Sequence, residues 1–314
     1  MNSCFLDIFS VWTHFVNSGK AILRVLLALL GILQMPSAAA TTSERYLLAI
    51  GGGLGVYAIR DGAMVLERRV LDAQWGYVAA PNVHPTDGTV YFEARARRRL
   101  GSAKIYSLRS LDSSDAPQEV VEGRSPSLSP DGKKIAFYRH PDQLWLMSLI
   151  DHSQEKLADD MARYFRQVVW ISSSELLFRD TGDRLMLLNT VSMDRKDTGH
   201  RGLVPAALSP DRKRVLCGTS VGRRIVLYSI EDGAVKTLVE KVAFSVGTSP
   251  VWSLNGDSFL YNRQRLRSYL RLSEGQDLAL RSMGGKERFV MSEAALSGGV
   301  ALPVGMGSGE RGIQ

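Results

Sequence analysis

After residue 40 the hydrophobic positions fall in short runs, each bounded by turn-forming residues, and no stretch sustains a helical period. The line Pro126–Leu149 sets the pattern. An entering strand leads to the Asp131-Gly132 turn, then to Ile135-Ala136-Phe137-Tyr138, and after a loop to Leu144-Trp145-Leu146-Met147. The same frame recurs around Asp87-Gly88, Ser173-Ser174, Asp211-Arg212 and Asn255-Gly256, followed by Val90-Tyr91-Phe92, Leu176-Leu177-Phe178, Val215-Leu216-Cys217 and Phe259-Leu260-Tyr261. A third run follows each one, and a second turn then introduces a short fourth strand, as in Asp232-Gly233 before Val235–Leu238 and Gly284-Gly285 before Arg288–Val290. Asp-Gly and Asn-Gly pairs between such runs predict hairpins, because these residues accept the positive φ that a tight turn imposes.

The turns at 87, 131, 173, 211 and 255 are spaced by 44, 42, 38 and 44 residues. Four antiparallel strands per ~42 residues predict an all-β propeller. Residues 45–70 supply three strands and lack an entering one. Ala294–Gly299 copies the entering strand Ala206–Asp211, which predicts that the carboxy-terminal strand pairs with the amino-terminal blade and closes a ring of six. Closure removes free sheet edges that would otherwise recruit other chains.

Ser129-Pro130-Asp131-Gly132, with Ser209-Pro210-Asp211-Arg212 and the degenerate Pro85-Thr86-Asp87-Gly88 and Ser253-Leu254-Asn255-Gly256, resembles the repeat of the TolB-like propeller family, over roughly residues 45–303. The resemblance implies the fold. It does not imply one function, because such repeats occur in periplasmic adaptors, peptidase propeller domains and some lyases. The segment before the repeats is not expected to hold the α/β domain that precedes the propeller in the family's namesake, so that adaptor role is not expected to carry over.

Residues 1–40 differ from the rest. Lys20 and Arg24 precede the apolar run Val25–Leu33, and Ala38-Ala39-Ala40 ends the segment. This is the layout of a secretory signal peptide. An apolar core of about nine residues falls short of the ~20 that cross a bilayer as a helix. The expectation is cleavage after Ala40, a propeller over 41–303, a tail over 304–314, and a periplasmic or secreted location; retention as an amino-terminal anchor is the alternative. Cys4 then leaves with the signal, and Cys217, within an apolar strand, reads as a small buried hydrophobe.

Composition adds little until the charges are placed. The 314 residues are 45% hydrophobic and 23% charged, which suits a globular protein, and two cysteines exclude a disulfide framework. Gly218–Gly222 fits the Gly-x-Ser-x-Gly pattern of hydrolases, but it joins two predicted strands, where that chemistry needs a strand-to-helix turn. Gly51–Gly55 also lies between strands, so no helix amino terminus follows to hold a phosphate. His84, His140, His152 and His200 show no ligand spacing. Trp170 and Trp252 hold equivalent places in entering strands, which predicts packing between blades. No catalytic residue, metal site or cofactor is expected.

The 39 basic residues include only 10 Lys, and the net charge is +7. In a propeller, second-to-third loops and blade links leave from one face. Those loops carry Arg95, Arg97, Arg98, Arg99, Arg139, Arg184, Arg223, Arg224, Arg263, Arg265 and Arg267, among few acids (Glu93, Asp142, Asp180, Asp183 and Glu274). One reading is an arginine-rich face for an anionic partner, since guanidinium groups fork onto carboxylates and phosphates. The other is a set of solvated hairpin tips, with arginine favoured over lysine by genomic base composition. The first gives an exported, non-enzymatic binding scaffold whose partner is a protein or an anionic envelope component or polysaccharide; export argues against nucleic acid. An alternative function is a hydrolase or lyase acting on an acidic polymer over the central channel.

Overall fold

The structure is a computed structural model that describes residues 44–302 except 72–74, 97–101, 113, 163–166, 221–222, 241, 243–249, 265–275 and 293–295. The signal-like segment 1–40, the tail 304–314 and the candidates Arg97, Arg98, Arg99, Arg265 and Arg267 lie outside the described residues.

Among the described residues, twenty-four strands form six four-stranded antiparallel sheets. Blade 2 runs β4 (Trp75–Val83), β5 (Val90–Ala96), β6 (Lys104–Leu108), β7 (Gln118–Glu122), and blade 3 runs β8 (Arg124–Leu128), β9 (Lys134–Arg139), β10 (Gln143–Ser148), β11 (Gln154–Ala158). Blade 4 comprises β12 (Val168–Trp170), β13 (Glu175–Arg179), β14 (Arg184–Asn189) and β15 (Arg195–Arg201). In blade 5 follow β16 (Leu203–Leu208), β17 (Arg214–Thr219), β18 (Ile225–Ser229) and β19 (Val235–Val239). Blade 6 holds β20 (Val251–Trp252), β21 (Ser258–Gln264), β22 (Gln276–Ser282) and β23 (Glu287–Met291).

Blade 1 is built from both parts of the chain. Its order is β24 (Leu296–Leu302), β1 (Arg45–Ile50), β2 (Gly53–Arg60), β3 (Ala63–Leu71). Arg45 pairs with Leu302 and Leu47 with Val300, so the carboxy-terminal strand does enter the first sheet. Inner strands touch in cyclic order from β24 through β4, β8, β12, β16 and β20 back to β24, which completes the six-bladed ring.

The core is divided into six slabs, one between each pair of neighbouring blades. In β9, Ile135 and Phe137 face blade 2, while Ala136 and Tyr138 face blade 4. In β17, Val215 and Cys217 face blade 4 and Leu216 faces blade 6. A strand buried on both sides needs apolar residues at every position, and this accounts for the unbroken apolar runs in the sequence. Polar ties cross the slabs near the axis. The Trp170 and Trp252 indoles donate to the carbonyls of Ser127 and Ala207 in the preceding blade, at 2.9 and 3.0 Å. Asn82 spans to Pro126 and Leu128, and Asn262 spans to Leu296 in the closing strand.

The repeated turn has one construction. Ser129 is buried; its hydroxyl donates to Asp131 at 2.6 Å and accepts from the Lys134 amide at 2.9 Å. Ser209 with Asp211 and Arg214, and Ser253 with Asn255 and Ser258, repeat it. In blade 2, His84 takes the serine's place, and its Nε2 lies 3.0 Å from the Gly132 carbonyl of the next blade. The serine thus accepts from a strand amide while its own hydrogen goes to the oxygen of the turn side chain.

Candidate ligand-binding face

Because consecutive strands of every sheet are antiparallel, the second-to-third loops and the blade links leave one face, here the loop face. The first-to-second and third-to-fourth turns leave the other, the turn face. Six of the arginines singled out in the sequence are described, and all belong to second-to-third connections or the strand positions beside them.

Arg95 is the penultimate residue of β5 and is exposed. Arg139 lies over the Trp145 ring, 4.4 Å from its centroid, and donates to the Gln154 side chain at 2.9 Å. The Arg184 Nε donates to Asp180 at 2.8 Å, and this hydrogen bond, with the pair's attraction, raises the guanidinium pKa. Arg223 and Arg224 are adjacent and exposed; the Arg224 Nε reaches Glu240 at 2.9 Å, across to the link that follows β19. Arg263 pairs with Glu287 and stacks on the exposed Phe289 ring at 5.3 Å. Three of the six are thus bound to carboxylates, two of which (Glu240 and Glu287) lie outside the arginine-bearing loops. These six arginines therefore belong to five different blades, and Arg139, Arg184, Arg224 and Arg263 are tied to neighbouring side chains.

Three of the acids in the same loops, Asp142, Asp180 and Asp183, are gathered instead. Where the loops of blades 3, 4 and 5 meet there is a cleft of about 390 Å3, lined by Asp142, Arg179, Asp180, Thr181, Asp183 and Ser220, with Ala162 at its side. The Asp180 side chain is fully buried, taking hydrogen bonds from the Arg184 amide and Nε, both at 2.8 Å. Arg179 is also buried, and its guanidinium donates to Asp183 at 2.6 Å. The Ser220 hydroxyl donates to the other Asp183 oxygen at 3.2 Å. Backbone bonds fix the frame: Thr181 N to Asp160 O at 2.7 Å, and Gly202 N to Asp183 O and Ser220 N to Gly202 O at 2.8 Å. The cleft was not singled out from sequence. Its signal was the placement of Asp142, Asp180 and Asp183 in consecutive second-to-third loops, which only the ring geometry turns into a common wall.

The remaining candidates behave as structural residues. Of the Gly-x-Ser-x-Gly pattern, Gly218 and Thr219 end β17 and Ser220, which follows, serves the cleft frame, while Val221 and Gly222 lie outside the described residues; the next element is the strand β18. Gly51 and Gly52 form the β1–β2 hairpin with φ of 59° and 84°. Cys217 is buried, and burial pushes its thiol pKa well above the ordinary range, which keeps it protonated and unreactive. Among the described residues no three of His, Cys, Asp and Glu stand close enough together to hold a metal ion.

The sequence matches no family model, and it matches no curated protein. Solved structures are similar in fold. TolB from Acinetobacter baumannii superposes with a TM-score of 0.64 at 16% identity, covering 83% of this chain and 66% of that one. A chain of a nidogen–laminin complex gives 0.61 at 12% identity, covering 82% and 98%. A putative TolB from Agrobacterium tumefaciens gives 0.56 at 14% identity, covering 83% and 100%. The chain spans just under two thirds of the Acinetobacter protein. At these identities the likeness is one of fold: the chain has a TolB-like six-bladed propeller.

Proposed function

We propose that this chain is an exported, non-enzymatic binding scaffold that uses its arginine-rich loop face to hold an anionic partner, either a protein or an envelope component. The observation that carries the reading is recurrence. Arginine stands at the same point of the strand order, beside the second-to-third connection, in five blades from Arg95 to Arg263. Like charges repeated around one face of a disc raise the local potential and the rate of encounter with an anion. A structure of similar fold comes from a nidogen–laminin complex, so a chain of this architecture is known inside a protein assembly. Export rests on Lys20, Arg24, the apolar run and the three alanines of the leading segment.

The test compares faces at equal charge. Arg95, Arg223 and Arg224 are replaced together by Ser, and in a second variant so are the exposed Lys133, Lys213 and Lys236 of the turn face. Each protein is eluted by salt from an immobilised anionic polysaccharide. The reading predicts that the loop-face variant elutes at clearly lower salt than the turn-face variant. Equal shifts mean that net charge alone is felt, and reject it. Secretion from a bacterial host, followed by mass spectrometry of the exported chain, is expected to give an amino terminus at Thr41.

A further inference from the structure

The turn that leads into β21 differs from its counterparts in one chemical respect. Where blades 3 and 5 carry Asp131 and Asp211, blade 6 carries Asn255, and Gly256 follows it in the one Asn-Gly step of the sequence. Such a step is labile. The glycine amide nitrogen, unshielded by any side chain, attacks the asparagine Cγ and closes a succinimide ring. The side-chain nitrogen leaves as ammonia, and water then opens the ring to aspartate or isoaspartate. Asn255 is exposed to the water that this needs.

In the folded turn the attack cannot begin. The Gly256 N–H donates to the Ser253 carbonyl at 3.1 Å, and Gly256 itself is buried against Pro210 of blade 5. The asparagine side chain is held at both of its polar atoms. Its Oδ1 accepts from the Ser253 hydroxyl at 2.8 Å and from the Asp257 amide at 3.1 Å, and its Nδ2 donates to the Asp257 carboxylate at 3.0 Å. Two donors on Oδ1 would steady an oxyanion at that atom. A nitrogen whose proton is committed to Ser253 is nevertheless no nucleophile. Ring closure therefore requires the turn to open, and its rate follows the population of the open form.

The place of this turn in the ring gives the opening a consequence. Among the described residues β20 is the shortest strand, and it meets β21 through two pairs, Val251 with Leu260 and Trp252 with Phe259. The Leu254 amide, inside the turn, donates to the Glu44 carboxylate at 2.8 Å. Glu44 directly precedes β1, and its carbonyl accepts from Ile59 of β2, so this bond crosses the seam where the ring closes. The products do not rebuild the turn. In blades 3 and 5 the turn aspartate is followed two positions on by Lys133 and Lys213, whose charge suits it. In blade 6 that position is Asp257, so an aspartate at position 255 sets two carboxylates together where an amide donated to one. Isoaspartate also lengthens the main chain within the turn.

We infer that Asn255-Gly256 is a deamidation site gated by the closing seam of the propeller. It is silent while blade 6 is shut against blade 1 and converts when that seam opens. Each conversion weakens the seam, so the change runs in one direction. This is independent of the role proposed for the loop face.

The experiment holds the full chain in folding buffer and in urea, at one mildly alkaline pH and one temperature. Mass spectrometry follows the peptide that contains Asn255. Conversion is expected to run at least tenfold faster in urea. Asn82, Asn189 and Asn262, followed by Val83, Thr190 and Arg263, are expected to stay amides over the same interval. Glu44→Ala removes the acceptor of the Leu254 amide and is expected to speed conversion of the folded chain several-fold, with the rate in urea unchanged. Glu44→Gln keeps an acceptor oxygen and is expected to stay close to the parent. Equal rates in buffer and urea would show that the folded turn protects nothing, and no response to Glu44→Ala would remove the seam as the gate; either result overturns the inference. The one-way step has its own readout. Asn255→Asp is expected to lower the urea midpoint, and Asp257→Asn added to it is expected to recover most of the loss. An unchanged midpoint in Asn255→Asp would show that the turn accepts the product, and would overturn the claim that conversion weakens the seam.

Discussion

Gly298 shows how closely the inner strands approach one another. It sits in β24 at φ +135°, and a Cβ built there would lie 2.8 Å from the Ala80 backbone nitrogen and 3.0 Å from its Cα, in the adjoining blade. Both the backbone conformation and the contact exclude a side chain, and the contact is with main chain, which cannot rotate away. Gly284 is a useful contrast: its φ is ordinary, and its nearest neighbour is a serine hydroxyl at 3.9 Å. Gly298→Ala is therefore expected to lower stability by about 2–4 kcal/mol, combining backbone strain with overpacking. Gly284→Ala is expected to leave stability unchanged or to raise it by up to about 1 kcal/mol through the unfolded chain. Urea midpoints of the two variants decide the matter, and equal midpoints would show that β24 is not seated against β4.

At the scale of the element, the turn explains which strands could be read from sequence. Ser129 is buried and makes two side-chain hydrogen bonds that fix the entry to β9. Ser172, at the weaker repeat in blade 4, makes long contacts, 3.3 Å to the Glu175 carboxylate and to the Ser174 amide and 3.5 Å to the Ser174 hydroxyl. Removing the first hydroxyl leaves the half-buried Lys134 amide without its side-chain acceptor and costs the Asp131 carboxylate one of its donors, the Lys133 amide remaining. Ser129→Ala is expected to cost about 1–3 kcal/mol and Ser172→Ala less than about 1 kcal/mol, read as the difference between their denaturation midpoints. Blades with the full serine–aspartate turn were legible for this physical reason, and so was the closing strand, whose Ala-Ala-Leu-Ser copies an inner strand. The outer strands were less legible. β15, Arg-Lys-Asp-Thr-Gly-His-Arg, is mostly exposed and pairs along one edge only, so nothing requires an apolar period there. The candidate site was legible to a similar degree. Connectivity assigns the arginines to one face, but their carboxylate partners Glu240 and Glu287 stand near the outer edge of the sheets, 16 and 24 residues further along the chain. No local pattern links such pairs. The cleft depends on three blades meeting, which no single repeat encodes.

The propeller has chemically different faces, and the aspartates of the turn face keep their negative charge to low pH. The hydroxyl of Ser148, with the hydroxyl and amide of Ser153, holds the Asp151 carboxyl down at about 2, and the Ser229 hydroxyl with the Ala234 amide lowers Asp232. The Ser209 hydroxyl lowers Asp211 against partial burial. For Asp87 and Asp131 burial pushes upward most strongly, yet it is outweighed by the donors of Thr89 and of Ser129 with Lys133. Each carboxyl is more acidic folded than in the unfolded chain, where Asp titrates near ~3.9. Their contribution is therefore fully present above that value and is lost as the pH falls through the folded values. Stability is expected to be flat above about pH 5 and to fall between about pH 4 and pH 2. A net charge of +7 offers a competing cause, since protonation also increases self-repulsion across the disc. Salt separates the two, because repulsion between distant exposed charges is screened within about 8 Å at physiological ionic strength, whereas a hydroxyl or amide donating to a carboxylate at contact is not. Urea unfolding at about pH 5 and pH 2.5, with and without roughly 0.5 M sodium chloride, is expected to show a drop that persists in salt and shrinks in Asp151→Asn. A drop abolished by salt would assign the acid sensitivity to net charge and remove the turn hydrogen bonds as its origin.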